Sequence, residues 1–262
     1  MPNSMLTREG IVKALVDRLE RLEYVHALWE GGAVAFDRLD QWSDIDVCVD
    51  AADDKIEAVF PAAEEALASL APIELKFDVP AAVPHGYVQA FYRLEGTSEF
   101  MLVDFAVFKH SEPNKLLEPE IHGNSRFHFN KNGAVRIPTL DRAGFLRRLK
   151  ADMARLSLRF DTFSCFVVKE INRANWIEAM DIYYRVILGS LMKSLRMRYH
   201  PIHYDFGTRY VHYELPPDVV GKLVDLHFVS DPKELPGKVE EAERWFRKTM
   251  REIDPDLLER QL

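Results

Sequence analysis

The chain has 262 residues, nearly half of them hydrophobic and over a quarter charged, a composition that buries a full core in one large domain or two modest ones. Its net charge of −8 argues against a broad basic surface for long nucleic acid, and no apolar run approaches the roughly 20 residues that cross a bilayer. The start MPNSMLTREG has no basic segment followed by an apolar one, and Cys48 and Cys165 stand far apart inside apolar runs, so the expectation is a reduced, cytoplasmic protein without structural zinc.

In chain order, Ile11, Leu15, Val16, Leu19 and Leu22 recur at helical spacing and predict a helix over Leu6 to Leu22, with Thr7 near its start as a cap. Val25 to Trp29 reads as a short strand ended by Gly31-Gly32, and Ala33 to Phe36 as a short helix. Ile45, Val47 and Val49 alternate with Asp44, Asp46, Cys48 and Asp50, the period of two of a strand. Asp53 is the expected cap of an Ala-rich helix running to about Leu70. Strands are then expected over Ile73 to Phe77, Tyr87 to Leu94 and Phe100 to Phe108, the last two joined by a turn around Gly96 and Ser98. From His110 to Pro138 no period emerges, which suits a long connection with one short hairpin. Beyond Thr139 the texture is helical: Leu140 to Leu158, an unbroken helix from Phe163 to Leu195, and two helices at about 217–229 and 233–253. The fold class expected is therefore α+β, a mixed sheet with flanking helices over residues 1–138 followed by a helical domain over 139–262.

Charge is uneven along the chain. Residues 1–140 carry about ten more acidic than basic side chains, a balance that suits metal ions or a cationic substrate as well as plain solvation. On the strand at 44–50 the carboxylates of Asp44 and Asp46 project to one face. Two carboxylates side by side repel, and a divalent cation relieves that cost. Asp104 sits between Val103 and Phe105 in an apolar strand, an expensive place for a charge unless it is paired or coordinated. If the two strands are neighbours, three carboxylates converge on one or two metal ions, the arrangement that clamps an in-line displacement at phosphorus. Gly31 and Gly32 would let backbone N–H groups approach phosphates, and Ser43 would contact a phosphate or fix the entrance of the strand.

Gly31-Gly32, nine intervening residues, the stretch Trp42-Ser43-Asp44-Ile45-Asp46-Val47 and a third aspartate on a later strand resemble the polymerase-β-like nucleotidyltransferase superfamily and its Ser-Asp-Ile-Asp signature. With a helical C-terminal half the chain is similar to the antibiotic nucleotidyltransferases, the aminoglycoside adenylyltransferases among them. The resemblance spans roughly residues 25–108. It departs from the pattern where Gly32 replaces a common serine and where Ala33, Val34 and Ala35 replace Ala-Arg-Gly. It implies magnesium held by Asp44 and Asp46, with Asp104 as a further ligand or as general base, and ATP or another nucleoside triphosphate as co-substrate.

In the helical half, Glu170, Ile177, Asp181 and Arg185 share one face of the expected long helix, with Trp176 beside them. Glu170, Asp181 and Trp176 would receive a cationic acceptor by charge pairing and cation–π contact, or form a solvated face with an Asp181–Arg185 pair. Lys193 is a candidate phosphate contact. The aromatic and His-rich stretch Arg196 to Tyr213 contains Arg198 and Arg209, which would touch triphosphate or brace a linker; its histidines lack metal-ligand spacing. The expected activity is transfer of a nucleoside monophosphate, AMP from ATP, to a hydroxyl of a small acceptor such as an aminoglycoside-like antibiotic, with a role in resistance. Its partners are the nucleotide and the acceptor, with no long nucleic acid and no membrane, and a homodimer as an admissible assembly. The alternatives are a non-catalytic nucleotide-binding or interaction module, or a transferase acting on a protein.

Overall fold

The computed structural model describes residues 6–80 and 86–254. It divides into two compact units, Met1–Leu140 and Asp141–Leu262. The fold is α+β, with every described strand in the first unit and a helical second unit, as the patterning predicts.

The first unit opens with α1 (Arg8–Leu19), whose start is capped by the Thr7 hydroxyl accepting from the Gly10 N–H at 3.1 Å. Ile11, Leu15 and Leu19 are fully buried, each contributing roughly 1.5–3 kcal/mol relative to exposure. There follow β1 (Val25–Glu30), the single-turn α2 (Gly32–Ala35), β2 (Ile45–Ala51), α3 (Ile56–Ala68), β3 (Ile73–Asp78), β4 (Tyr87–Leu94) and β5 (Val103–Lys109). With a later strand, β6, they form a six-stranded sheet of order β3-β4-β5-β2-β1-β6, where β6 spans Arg126–Asn130. β2 and β5 run parallel, while the other neighbouring pairs are antiparallel. One face of the sheet is covered by α1 and α3, and Leu28, Val47, Val49, Phe105 and Val107 pack in the core beneath them. The opposite face carries a smaller apolar cluster that includes Trp29, Phe108, Leu117 and Val135. Alternation along β2 therefore sends Ile45, Val47 and Val49 into the helix-covered core and Asp46, Cys48 and Asp50 to the other side.

Two expectations in this unit are corrected. Asp53 does not cap α3, whose first turn follows Lys55 without a side-chain cap. Instead the Asp53 carboxylate accepts from the Ser111 N–H at 3.0 Å and from the Ser111 hydroxyl at 2.5 Å, tying down the chain after β5. The 110–138 connection holds no hairpin of its own. It contains α4 (Pro119–His122) and β6, which adds antiparallel to β1 at the sheet edge. Five residues interrupted by polar side chains carry too little periodicity to announce such an edge strand. Gly123, at φ 75°, lies so close to the Ala35 carbonyl that a Cβ there would meet it at 2.5 Å, and Asn124 donates its N–H to the same oxygen at 2.7 Å. The connection thus braces α2.

The second unit comprises α5 (Arg142–Phe163), α6 (Cys165–Asn172), α7 (Trp176–Ile182), a π-helical segment (Tyr183–Leu188), α8 (Gly189–Tyr199), the short α9 (Val211–Glu214), α10 (Pro217–His227) and α11 (Leu235–Glu252). Phe160 of α5 stacks on Phe246 of α11 with centroids 3.9 Å apart, and the Tyr183 hydroxyl donates to the Leu226 carbonyl at 2.8 Å. The unbroken helix expected over Phe163 to Leu195 is divided. Its apolar stripe is buried at Val167, Leu188, Leu191 and Leu195, but Ile177 is 85% exposed. The break falls at Ala174, which adopts φ 57°, a left-handed conformation at a helix end where glycine is the usual residue. Ala174→Gly is therefore expected to raise stability by about 0.5–1 kcal/mol, read as a higher urea midpoint with an unchanged m-value.

Candidate active site

The parallel register sets Asp46 of β2 opposite Asp104 of β5, Cys48 opposite Ala106, and Asp50 opposite Phe108. Neighbouring strands are about 4.8 Å apart, so Asp46 and Asp104 lie side by side, both half-buried. Gln89 of β4 reaches across and donates its Nε2 to Asp104 Oδ1 at 2.5 Å. A neutral amide donor of this kind fixes the carboxylate's orientation and favours its charged form. Next along the same face of β2 stands Cys48, whose thiol is pushed far up by burial and by the charges of Asp46 and Asp104. Burial raises the Tyr87 hydroxyl too, again with help from Asp104. In both, burial is the larger cause and the nearby negative groups add to it.

Asp44 precedes the first residue of β2, and its carbonyl accepts from Arg8 Nη1 at 2.5 Å. Arg8 also pairs with Glu30 at 3.1 Å, and Glu30 binds His128 at 2.8 Å through its other oxygen. Burial alone would raise the Glu30 carboxyl, but the hydrogen bond from His128 and the Arg8 charge outweigh it and hold the group below its ordinary value. This network anchors the start of β2 to α1, to the end of β1 and to the edge strand β6. Ser43 stands in the turn before the strand. Its hydroxyl donates to Asp40 Oδ1 at 2.9 Å and accepts the Asp40 N–H at 3.0 Å, closing the turn that enters the strand.

The Gly31-Gly32 turn is built against Asp46. The Gly31 N–H donates to the Asp46 carbonyl at 3.1 Å, so this donor is committed to the sheet. Gly32 has φ 51°, and a Cβ there would fall 1.7 Å from Asp46 Oδ2. Only a residue without a side chain leaves that carboxylate its place. At Gly31 an added Cβ meets nothing. The donor set is all hard carboxylate oxygen, the kind that suits magnesium rather than a soft metal, and the glycine admits the Asp46 carboxylate against the turn. By donor chemistry the residues fit a magnesium ion. The carboxylates of Asp44, Asp46 and Asp104 are nevertheless not among the described groups of three side chains with all ligand atoms within 4.8 Å of one another.

In the second unit the expected site residues are spread apart. Glu170 closes the end of α6, taking Asn175 Nδ2 at 2.8 Å and Arg173 Nη1 at 3.0 Å; the Asn175 hydrogen bond leads the lowering of its carboxyl. Trp176 and Asp181 belong to α7 beyond the break, so the continuous face joining them to Glu170 does not form. Asp181 pairs at 3.4 Å with Arg185, both exposed. Lys193 reaches Asp152 at 3.2 Å and lies over the Tyr204 ring, 5.0 Å from its centroid. Tyr204 also donates to Asp152 at 3.1 Å, and burial together with that carboxylate pushes its hydroxyl up to about 12. Lys193 and Tyr204 border a cavity of about 220 Å³ that Tyr184, Asp205 and His227 also line. The Arg196 to Tyr213 stretch is braced from inside by Arg196, fully buried, which pairs with Glu214 at 2.7 Å and donates to the Gly207 carbonyl at 2.6 Å. Arg198 pairs with Glu252.

Sequence reasoning missed Gln89, Arg8 and Glu30. Gln89 was within reach of pattern: counted along an antiparallel β4, it falls on the same face as Asp104. Arg8 and Glu30 gave no such signal, because the partners of Arg8 are 36 and 22 residues away.

A mixed sheet carrying paired aspartates on its central parallel strands, followed by a helical unit, is the class of architecture that this chain adopts. No family model matches the chain, and no curated protein matches it. Among solved structures eight chains match. One is the spectinomycin adenyltransferase AAD(9) from Enterococcus faecialis, solved with ATP and spectinomycin, which is 11% identical, with 97% of each chain covered and a TM-score of 0.33. At that distance, function is to be read from the residues of this chain.

The two glycines are separable by substitution. Gly32→Ala is expected to destabilise the fold by about 1–3 kcal/mol through backbone strain and displacement of Asp46, whereas Gly31→Ala stays within about 0.5 kcal/mol of the parent; chemical denaturation of the two variants reads the difference.

Proposed function

We propose that this chain transfers a nucleoside monophosphate, AMP from ATP, to a hydroxyl of a small acceptor and releases pyrophosphate. The observation that carries the proposal is the in-register pair Asp46 and Asp104, with Gly32 closed over Asp46. The choice of ATP follows the superfamily resemblance of the Ser43-Asp44-Ile45-Asp46 stretch.

Asp44 and Asp46 would hold magnesium, up to two ions with Asp104 as the shared third carboxylate. When bound, magnesium neutralises the triphosphate and lowers the cost of charge developing on the attacking and leaving oxygens. The chain's own groups do the rest. Gly32 lets the Asp46 carboxylate pack directly against the turn, and its amide would make the phosphate contact that Gly31 cannot make. Gln89 holds one Asp104 oxygen and so sets the direction of the other. From there Asp104 binds metal or accepts the proton of the acceptor hydroxyl as its oxygen bonds to the α-phosphorus and the α–β bridging oxygen departs with pyrophosphate. The acidic excess of the first 140 residues favours a cationic acceptor, an aminosugar or aminocyclitol of the antibiotic type. In the helical unit, Asp181 and Trp176 remain exposed and are proposed to meet that acceptor, whereas Glu170 acts structurally. Lys193 and the Tyr204 cavity are proposed to take a polar part of either substrate.

Two substitutions test the reading, with pyrophosphate release from Mg-ATP measured across a panel of aminocyclitols and aminosugars. Asp46→Asn should lower kcat/KM by at least about 100-fold with the fold intact; full activity in that variant would sink the proposal. Gln89→Leu should lower kcat about tenfold with KM for ATP little changed, and should move the acidic limb of the pH–rate profile upward if Asp104 takes the proton. An unmoved limb assigns Asp104 to metal binding alone.

A further inference from the structure

At the far end of β2, on the same face as Asp46 but four residues along, lies a second polar cluster that the proposed transfer does not use. Asp50 is fully buried. Its Oδ1 lies 2.9 Å from His26 Nδ1 and 2.8 Å from His110 Nδ1, and the two rings meet edge to face with centroids 4.4 Å apart. Lys115 Nζ lies 2.6 Å from the other oxygen, Oδ2. Four residues of strand place the cluster about 13 Å from Asp46, so the two sites do not share ligands.

From these observations we propose that His26, Asp50 and His110 form a binding site for one zinc ion. Three separate elements are shaped to bring the ligands together. The register of β1 on β2 shifts between Val25 and Ala27, and this bulge at His26 re-aims the ring toward Asp50. His110 follows directly after β5, where its N–H is held by the Ala51 carbonyl at 2.8 Å. Lys115 donates to the Lys109 carbonyl at 2.7 Å and to that of His110 at 3.3 Å, so the same ammonium that orients Asp50 also fixes the backbone carrying His110. Partners of this kind, bound to the non-ligating atom of a carboxylate, set the direction of its ligating atom.

The donor set is two imidazole nitrogens and one carboxylate oxygen, which is a zinc-type set with a fourth position for water. Tetrahedral ligands at Zn–N distances near 2.0 Å stand about 3.3 Å apart. The present contacts of 2.8 and 2.9 Å open to that spacing with shifts of about half an ångström. Asp50 is inaccessible, but the His26 side chain is 25% exposed and that of His110 is 46% exposed, so an ion enters from the histidine side. The second cluster of this composition, His200, His203 and Glu214, lacks that access, since the His203 and Glu214 side chains are only 4% and 1% exposed. Asp50 is 24 residues from His26 and 60 from His110 in the chain, which is why no metal-ligand spacing appears in the sequence.

The test uses the full chain, stripped with chelator and titrated with zinc chloride alone at about pH 7.5. One equivalent should bind and the melting temperature should rise. His26→Ala and His110→Ala should each weaken binding at least about tenfold, while Asp46→Asn leaves it unchanged. Cobalt(II) in place of zinc should give visible d–d absorption and two hyperfine-shifted imidazole N–H resonances in the unsubstituted protein, a readout that does not require the variants to fold. The proposal is overturned if zinc does not bind, if binding survives both histidine substitutions, if Asp46→Asn abolishes it, or if the cobalt spectrum shows no coordinated imidazole. Because no nucleotide is present, failure of this test leaves the proposed transferase activity standing, and the reverse also holds.

Discussion

Two like charges set side by side on the central strands of a sheet repel one another, and the first unit is organised around making that tolerable. The in-register parallel pairing of β2 and β5 forces Asp46 and Asp104 to be neighbours. Such a pair survives only where the surrounding packing over-determines it. The determination comes from the opposite face, where Val47, Val49, Phe105 and Val107 are fully buried under α1 and α3. Sliding β2 by one residue would turn Asp46 into the core and Ile45, Val47 and Val49 out of it. Burial on one side of the sheet therefore fixes the position of charge on the other.

The second unit solves a different problem. Its helices carry several charged groups below the surface, and these are matched locally rather than spread. Arg196 and Glu214 are both essentially inaccessible, and the pair also satisfies His203 at 2.9 Å and the Gly207 carbonyl. A buried pair of this kind adds little net stability over an apolar replacement, but loss of one member leaves the other stranded. Its effect is to hold an irregular segment, Pro201 to Leu215, in one conformation without the backbone ladder that a long helix or a strand would supply.

How much of this is legible in the sequence depends on the range of the interactions involved. The period-two alternation around Asp46 and the apolar setting of Asp104 name the strands and their faces directly, because that information lies within seven residues on each strand. Their parallel adjacency is a matter of topology, set by which strands the helices allow to meet, and no local pattern carries it. β6 is hidden by its brevity, and the cap role expected of Asp53 fails because Ser111, 58 residues away, offers a better partner. The helical stripe from Phe163 to Leu195 reads as continuous because apolar spacing carries no mark of a single residue turned to positive φ. Glycine or asparagine at position 174 would reveal the break; alanine conceals it. The candidate site is thus readable in its carboxylates and opaque in what orients them, since Gln89 and Arg8 act across strands and helices.

Cys48 lies between Asp46 and Asp50 along one face of β2. Its thiol is held protonated by burial and by the carboxylates beside it, and oxidation or alkylation of cysteine proceeds through the thiolate. Burial first, and the neighbouring carboxylates second, thus keep the sulfur in its unreactive thiol form. Oxidative damage is directed instead to Cys165, which is exposed at the start of α6 and remote in sequence from every residue of the aspartate site.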